Sequence, residues 1–103
     1  MSERISFLFS KEDIARIKFS VQKDGKKLVT VDMHGLRAKD ARKFIKNLVA
    51  INKEGYDMCF IHGYNHGTAI KEIIWNEKLN NRITDKRGIQ KNPGITYLSV
   101  AAA

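Results

Sequence analysis

Residues 27–63 read KLVTVDMHGLRAKDARKFIKNLVAINKEGYDMCFIHG and decide the fold, because they carry in succession the patterns of a strand, a helix and a second strand. The first part alternates, which places Val29 and Val31 on one face of a strand and Asp32 and His34 on the other. The sequence therefore predicts a strand whose polar face ends in an aspartate and a histidine.

The middle of this segment has helical spacing. After Gly35, apolar residues recur at intervals of three and four, and lysines and arginines occupy the opposite side. Tyr56 to His62 then forms a short apolar run with the length of a buried strand. We therefore expect a strand-helix-strand unit with two parallel strands. The apolar arc of the helix comprises Ala41, Phe44, Ile45, Leu48 and Ile51.

Upstream and downstream segments extend this unit. Residues 16–22 alternate polar and apolar before a turn at residues 23–26, which predicts a hairpin with the strand that follows. A second helix is expected after Thr68, and residues 80–91 have the polar, basic composition of a loop. Residues 92–94 predict a turn into a last strand, Ile95 to Val100.

Trp75 and Leu79 lie off the apolar stripe of the second helix, which favours a short helix with an irregular end over an exposed apolar patch.

The composition favours one small basic domain. The chain has 103 residues, 19 Lys plus Arg against 11 Asp plus Glu, and a net charge of +8, so polyanions are the first partners to consider. Cys59 is the single cysteine and is expected to be an inert core thiol. The apolar patch at residues 5–9 is too short for a signal peptide or a membrane span, which predicts a cytoplasmic protein.

Candidate chemistry lies at two strand-to-helix junctions, each with a histidine followed by a glycine: His34-Gly35 and His62-Gly63. If the two strands are parallel, both histidines lie at the carboxyl edge of the sheet, where ligand sites of open α/β sheets form. The loop from Gly63 to Gly67 is expected to present free N–H groups to a phosphate at a helix N-terminus. Histidines, an aspartate and such donors supply the groups that phosphodiester cleavage needs.

Simpler interpretations stay open for each residue. A histidine at a strand end is more often structural than catalytic, and His66 either contacts phosphate or accommodates an unusual backbone angle. Tyr64 either stacks on a base or packs on the helix. Asp32 either orients a histidine or holds a divalent ion. The loop lacks the lysine of an ATP-binding phosphate loop and the glycine spacing of a dinucleotide site, and the histidines lack the spacing of a zinc site.

Two motifs together resemble a known family. Val31 to Leu36 (VDMHGL) resembles the L-D-x-H-G signature of the small MutS-related (Smr) domain, and residues 62–67 (HGYNHG) resemble its H-G-x-G-x-G loop. Asn92-Pro93-Gly94 is similar to the turn before that family's last strand, so the resemblance extends from about residue 29 to residue 100. Asn65 replaces the middle glycine of the loop, a departure that affects cleavage more than binding.

The resemblance implies an α/β fold, a two-layer open sandwich with a mixed four-stranded sheet (βαβαββ-like) and two main helices. Residues 1–26 would form an N-terminal strand or hairpin extension, and residues 27–103 the Smr-like domain.

The resemblance also implies an endonuclease that nicks DNA or cleaves RNA, with Asp32, His34 and His62 as catalytic residues. A divalent metal such as Mg²⁺ would be a possible cofactor, with Asp32 as its possible ligand. Nucleic acid would be the partner, with a possible association with ribosomes or repair complexes and no membrane contact. Independently of the resemblance, the glycine loop and the basic segment of residues 82–91 supply the residues expected at the phosphate or the nucleic acid, which are Gly63, Tyr64, Asn65, His66, Gly67, Thr68, Arg82, Lys86, Arg87 and Lys91.

Two other functions remain from the sequence. A non-catalytic module for DNA, RNA or the ribosome would use the same basic surface. A protein-interaction module would use Trp75 and Leu79.

Overall fold

The computed structural model describes residues 9–50, 53–63, 69–89 and 91–102. Its elements are α1 (Lys11–Ala15), β1 (Ile17–Val21), β2 (Lys27–Asp32), α2 (Ala38–Ala50), β3 (Tyr56–Ile61), α3 (Ala69–Asn76), β4 (Ile83–Ile89) and β5 (Asn92–Val100).

The five strands form one mixed sheet in the order β1-β2-β3-β5-β4. The central strands β2 and β3 are parallel and flank α2 in sequence, as the strand-helix-strand pattern predicts, and every other pairing is antiparallel. The mixed α/β class is therefore confirmed. The sheet has five strands rather than four, because β1 pairs residue for residue with β2 as its outermost strand.

The core lies between one face of the sheet and the helices α2 and α3. Val29 and Val31 of β2 are buried in it, as their alternation predicts, whereas the neighbouring polar positions are partly exposed. The predicted apolar arc of α2 is buried along the described helix. The largest fully buried side chains of this core are Met33, Ile45, Tyr56, Met58, Phe60, Ile74 and Leu98.

The start of the described chain is attached to the same core. The Phe9 ring is buried and packs against the Phe44 ring of α2, with the ring centroids 5.0 Å apart. The helix α1, which the sequence analysis did not predict, begins after Ser10, whose side chain accepts a hydrogen bond from the Asp13 N–H at 3.1 Å. Its single turn is too short for apolar periodicity to reveal it.

The turn of the β1–β2 hairpin is bonded to β3 on the face of the sheet opposite the helices. There, the buried Asp57 carboxylate accepts a hydrogen bond from Gln22 Nε2 at 3.0 Å and lies 3.1 Å from Lys26 Nζ. Burial raises the pKa of Asp57, but these partners outweigh it and leave the pKa below its usual value. Cys59 is also buried on this face, where desolvation raises the pKa of its thiol. The cysteine is thus buried as expected, although outside the helix-side core.

Residues 80–91 differ from the polar loop that their composition predicts. Residues 83–89 form β4, which pairs with β5 at one edge of the sheet. An edge strand satisfies half of its backbone groups through one neighbour and leaves its charged side chains in solvent, so it needs little apolar patterning. The loop predicted from composition is therefore wrong, whereas the two strands that the βαβαββ order places after the second main helix are confirmed.

Trp75 and Leu79 do not form an exposed patch. The helix α3 ends at Asn76, which confirms the short helix, and Leu79 is buried beyond its end. Trp75 is half-buried against the core, and its Nε1–H donates to Thr96 Oγ1 at 3.0 Å. These two side chains therefore do not provide the exposed apolar surface that the protein-interaction module would use. In the described part of the chain, no helix has the length and apolar character needed to cross a bilayer.

Candidate active site at the carboxyl edge of the parallel strands

Asp32 and His34 form an exposed pair at the carboxyl end of β2. Asp32 Oδ1 accepts hydrogen bonds from the backbone N–H of His34, at 3.2 Å, and from His34 Nδ1. The side chains are 43% and 71% exposed, respectively. One carboxylate oxygen therefore orients both the backbone and the imidazole of His34, while the ring stays accessible to solvent.

The hydrogen bond assigns the tautomer of the neutral His34 ring. A carboxylate can only accept, so Nδ1 carries the proton and Nε2 is the basic nitrogen. A molecule in solvent can therefore reach the basic nitrogen of this pair.

Arg16 holds the backbone of this pair in place. Its Nη1 donates to the carbonyl oxygens of Asp32 and His34, each at 3.0 Å, and its own carbonyl accepts from the Asp32 N–H at 2.9 Å. The sequence analysis missed this residue. The hairpin pattern contains the signal, because antiparallel pairing in the observed register places Arg16 opposite Asp32.

His62 lies at the equivalent junction after β3, but it is buried and only 6% exposed. Its Nδ1 donates to the Gly63 carbonyl at 2.8 Å, so Nε2 accepts from the Thr96 hydroxyl at 2.9 Å, while that hydroxyl accepts from Trp75. Desolvation lowers the pKa of His62, and the positive charge of Lys71 lowers it further. His62 is therefore a neutral ring with both nitrogens engaged inside the protein.

The two junctions meet through Gly63. This residue has φ of 71°, in the region that favours glycine, and a Cβ added there would lie 3.9 Å from the Cβ of His34. The Gly63 N–H donates to the Gly94 carbonyl at 3.0 Å, and the His62 N–H donates to the same oxygen at 2.9 Å. Contrary to expectation, the Gly63 N–H is therefore engaged within the fold rather than free for a phosphate.

The rest of the predicted phosphate loop, Tyr64, Asn65, His66, Gly67 and Thr68, lies outside the described residues. Its contacts stay a prediction. The described part of α3 begins directly after it, at Ala69.

Arg82, a predicted nucleic-acid contact, is engaged with backbone oxygens. Its guanidinium donates to the carbonyls of Val49 at 2.9 Å, Glu54 at 3.1 Å and Ala101 at 2.9 Å. These bonds join the start of β4 to the end of α2 and to the residue after β5. The structure thus gives Arg82 a clear role in holding the fold together.

Of the other three basic residues of this segment, one is bonded within the fold and two are exposed. Lys86 points to the helix side, where its Nζ donates to the carbonyls of Trp75 at 3.1 Å and Glu77 at 3.4 Å. Arg87 is exposed on the opposite face and lies 3.4 Å from the carboxylate of a neighbouring aspartate. Lys91 is exposed in the turn before β5. Arg87 and Lys91 are therefore the members of this set that an incoming ligand can reach.

The carboxylates do not gather into a metal-binding cluster. Across the residues that the structure describes, no group of three His, Cys, Asp or Glu side chains is close enough to hold a metal ion. Asp32 contributes one carboxylate, and one of its oxygens is already bonded to His34. These donors do not fit a multi-carboxylate Mg²⁺ site.

A comparison with solved structures finds the Smr domain of Thermus thermophilus MutS2. The match has a TM-score of 0.50 and 20% sequence identity, and it covers 69% of this chain and 95% of that one. No family model matches the sequence, and no curated protein matches it significantly. The chain is a two-layer α/β domain with the Smr fold, so the family resemblance is confirmed at the level of fold.

Proposed function

We propose that this protein is a nucleic-acid endonuclease in which His34 is the general base. The observation that carries the proposal is the exposed Asp32–His34 pair, with Nδ1 bonded to the carboxylate and Nε2 turned to solvent. The net charge of +8 favours a polyanionic substrate, and the fold is that of a domain from MutS2.

In the proposed reaction, His34 Nε2 removes a proton from a water molecule or a ribose 2′-hydroxyl. The oxygen that loses the proton attacks the phosphorus, the bond to the leaving oxygen breaks, and a proton from solvent completes the leaving hydroxyl. Asp32 stabilises the imidazolium meanwhile, as in other carboxylate–histidine pairs. No step requires a metal ion held by several protein carboxylates.

We assign His62 a positioning role within this function. Its imidazole fixes the carboxyl end of β3 through Gly63 and Thr96 and has no free nitrogen for proton transfer. The accessible cations Arg87 and Lys91 and the loop residues 64–68 are the proposed contacts to the nucleic acid. Contacts from Arg82 and Lys86 would require these side chains to leave the carbonyls that they now bind.

A second candidate is a nucleic-acid-binding module without turnover. The engagement of both His62 nitrogens favours it, because the described site then offers His34 as its one accessible imidazole. The same module would suit binding to a ribosome or a repair complex, as the family resemblance implies.

The test compares the wild type with Asp32→Asn and His34→Ala on end-labelled structured RNA and on supercoiled plasmid, with Mg²⁺ and with a chelator. We expect both variants to lose cleavage by about 10²-fold or more, since general acid–base catalysis contributes about that much. The asparagine amide also favours the wrong imidazole tautomer. Asp24→Asn, an equal change at an exposed carboxylate in the turn between β1 and β2, is the matched control and should cleave normally, because the amide oxygen can still accept from the Lys26 N–H.

Each result separates the two candidates. Activity that survives the chelator supports the metal-free mechanism, and the preferred substrate identifies DNA or RNA. A folded wild type that binds in a salt-sensitive way but cleaves neither substrate refutes the enzyme and leaves the binding module. A wild type that neither binds nor cleaves refutes both.

A further inference from the structure

The edge strand β1 exposes two large apolar side chains. Phe19 is 48% and Val21 is 69% exposed, and no other large hydrophobic residue in the described ranges is classed as exposed. Their antiparallel partners are Val29 and Lys27, so the two side chains lie on the helix side of the sheet but beyond the cover of the helices. Ile17, on the same side, is partly buried against the core.

The same residues direct their backbone groups outward. The Gln22 N–H donates to Lys26, and the Asp32 N–H donates to Arg16, so the even-numbered residues of this ladder exchange hydrogen bonds with β2. In an antiparallel ladder the bonded direction alternates along the strand. The N–H and C=O groups of Ile17, Phe19 and Val21 therefore point away from β2, toward the edge, where the described chain places no further strand.

The opposite edge of the sheet is protected, whereas β1 is regular. Register irregularities interrupt β4 in two places, and residues 85–87 are three consecutive charged residues. Bulges and charges of this kind prevent edge strands from pairing with other chains. The pairing of β1 with β2 continues without a shift over residues 17–21, and Lys18 is its one charge.

We propose that β1 is a homodimerisation strand, which pairs antiparallel with β1 of a second copy about a two-fold axis at Phe19. This register places Phe19 opposite Phe19 of the other copy, and Ile17 opposite Val21. All three residues have outward-facing backbone groups, so the pairing makes six backbone hydrogen bonds and joins the two sheets into one of ten strands.

The sequence of β1 is self-complementary in this register. The apolar side chains meet one another on the helix side, and on the other side Lys18 lies opposite Ser20 of the second copy. A two-fold axis one residue earlier would oppose the two Lys18 ammonium groups, which is destabilising. A second copy therefore fits this edge without help from another molecule.

The lysines near this edge predict the salt dependence. Lys18 and Lys23 bring positive charge to both sides of the proposed interface, whereas Lys26 and Lys27 are each paired with a carboxylate, so the copies repel at low salt. Dimerisation should strengthen as salt screens these charges, whereas nucleic-acid binding weakens with salt. The two associations can thus be measured separately in the same protein.

Sedimentation equilibrium of the full chain, from about 1 µM to about 1 mM, tests the proposal. We expect a monomer–dimer equilibrium that Phe19→Lys weakens by at least about tenfold. Ser20→Lys should also weaken it, by about threefold to tenfold, because it opposes Lys18 of the other copy at two symmetric positions. Adding Lys18→Glu to Ser20→Lys should restore the affinity, and Thr84→Lys on the exposed edge strand β4 is the matched control.

Amide hydrogen exchange supplies a second readout, independent of any variant. The N–H groups of Ile17, Phe19 and Val21 should become protected as concentration rises, while Lys18 and Ser20, bonded to β2, change little. A protein that is monomeric at all concentrations overturns the proposal. So does protection of the odd-numbered amides that is independent of concentration, which would show that this chain covers its own edge, or a dimer that Phe19→Lys leaves intact.

Discussion

His34 and His62 follow neighbouring parallel strands, yet their side chains differ in exposure and in hydrogen bonding. His34 lies two residues after the end of β2, and its ring is exposed to solvent while it contacts Asp32. His62 turns inward toward Thr96 and is almost fully shielded from water. Two residues in equivalent sequence contexts thus lie in different environments because one side chain turns inward.

The burial of His62 predicts how its protonation affects stability. Its pKa in the folded protein is below the ordinary value of 6.5, because protonation would place a charge in a desolvated position. The unfolded chain therefore binds a proton more readily than the folded one. His62 should lower the free energy of unfolding as pH falls from about 6.5 toward its lowered folded pKa, with no such loss above that range.

Urea unfolding at about pH 8, 6.5 and 5 measures this effect in the wild type and in His62→Gln, whose amide does not titrate. The wild type should lose more stability than the variant over the lower interval. Equal losses in the two proteins would contradict the prediction, since the two proteins differ only at position 62.

The sequence could predict that Asp32 and His34 share a face, but not that His62 turns inward. Alternation in β2 placed Asp32 and His34 on one face, and the structure brings them together. The inward turn of His62 depends on Thr96 and Trp75, which are distant in sequence and meet it only in the folded sheet. Such contacts leave no periodic signal.

At the scale of elements, the segment that contains β4 has basic residues with different structural roles. Arg82, just before the strand, binds three backbone carbonyls, while Arg87 on the same segment lies in solvent. Net charge alone assigned both residues to the nucleic acid. The structure separates a cation that holds α2, β4 and the end of β5 together from one that is accessible to a ligand.

Replacement of each arginine by alanine tests this separation. Arg82→Ala should lower the free energy of unfolding by about 1.5–3 kcal/mol, because hydrogen bonds from a charged group are lost. Arg87→Ala should change it by less than about 0.5 kcal/mol, as is usual for surface substitutions. Urea unfolding measures both values, and an Arg87 variant as unstable as the Arg82 variant would refute the distinction.

Elements with a strong apolar period were predictable, and elements without one were not. The helix α2 and the strands β2 and β3 bury the residues that their spacing selects. The single turn α1 and the edge strand β4 bury too few side chains for a period to appear. Instead, a capping serine defines α1, and backbone pairing with β5 defines β4.

At the scale of the whole molecule, the net charge of +8 dominates the expected association with nucleic acid. Each phosphate that a lysine or arginine neutralises releases a counterion, so the logarithm of the affinity should fall linearly with the logarithm of salt concentration. Fluorescence anisotropy with a labelled duplex and a labelled single strand, between about 50 and 200 mM salt, measures the slope.

The slope is also proportional to the number of phosphates that lysine and arginine side chains contact. Loss of one phosphate contact in Arg87→Ala or Lys91→Ala should reduce its magnitude by about 0.7–0.9, whereas Lys53→Ala, an exposed change in the segment before β3, serves as the control. Affinity that does not respond to salt would contradict an electrostatic mode of binding for this protein.

The hydrogen bonds from Arg16 to the carbonyls of Asp32 and His34 determine the shortest fragment that can keep the site intact. A division of the chain at residue 26 remains a prediction, and a fragment of residues 27–103 would retain Asp32 and His34. It would lack the guanidinium that spans their two carbonyls and the strand that pairs with β2. A cut at residue 26 would therefore remove contacts that hold the Asp32–His34 pair, and a fragment that keeps this geometry must include the hairpin from Arg16 onward.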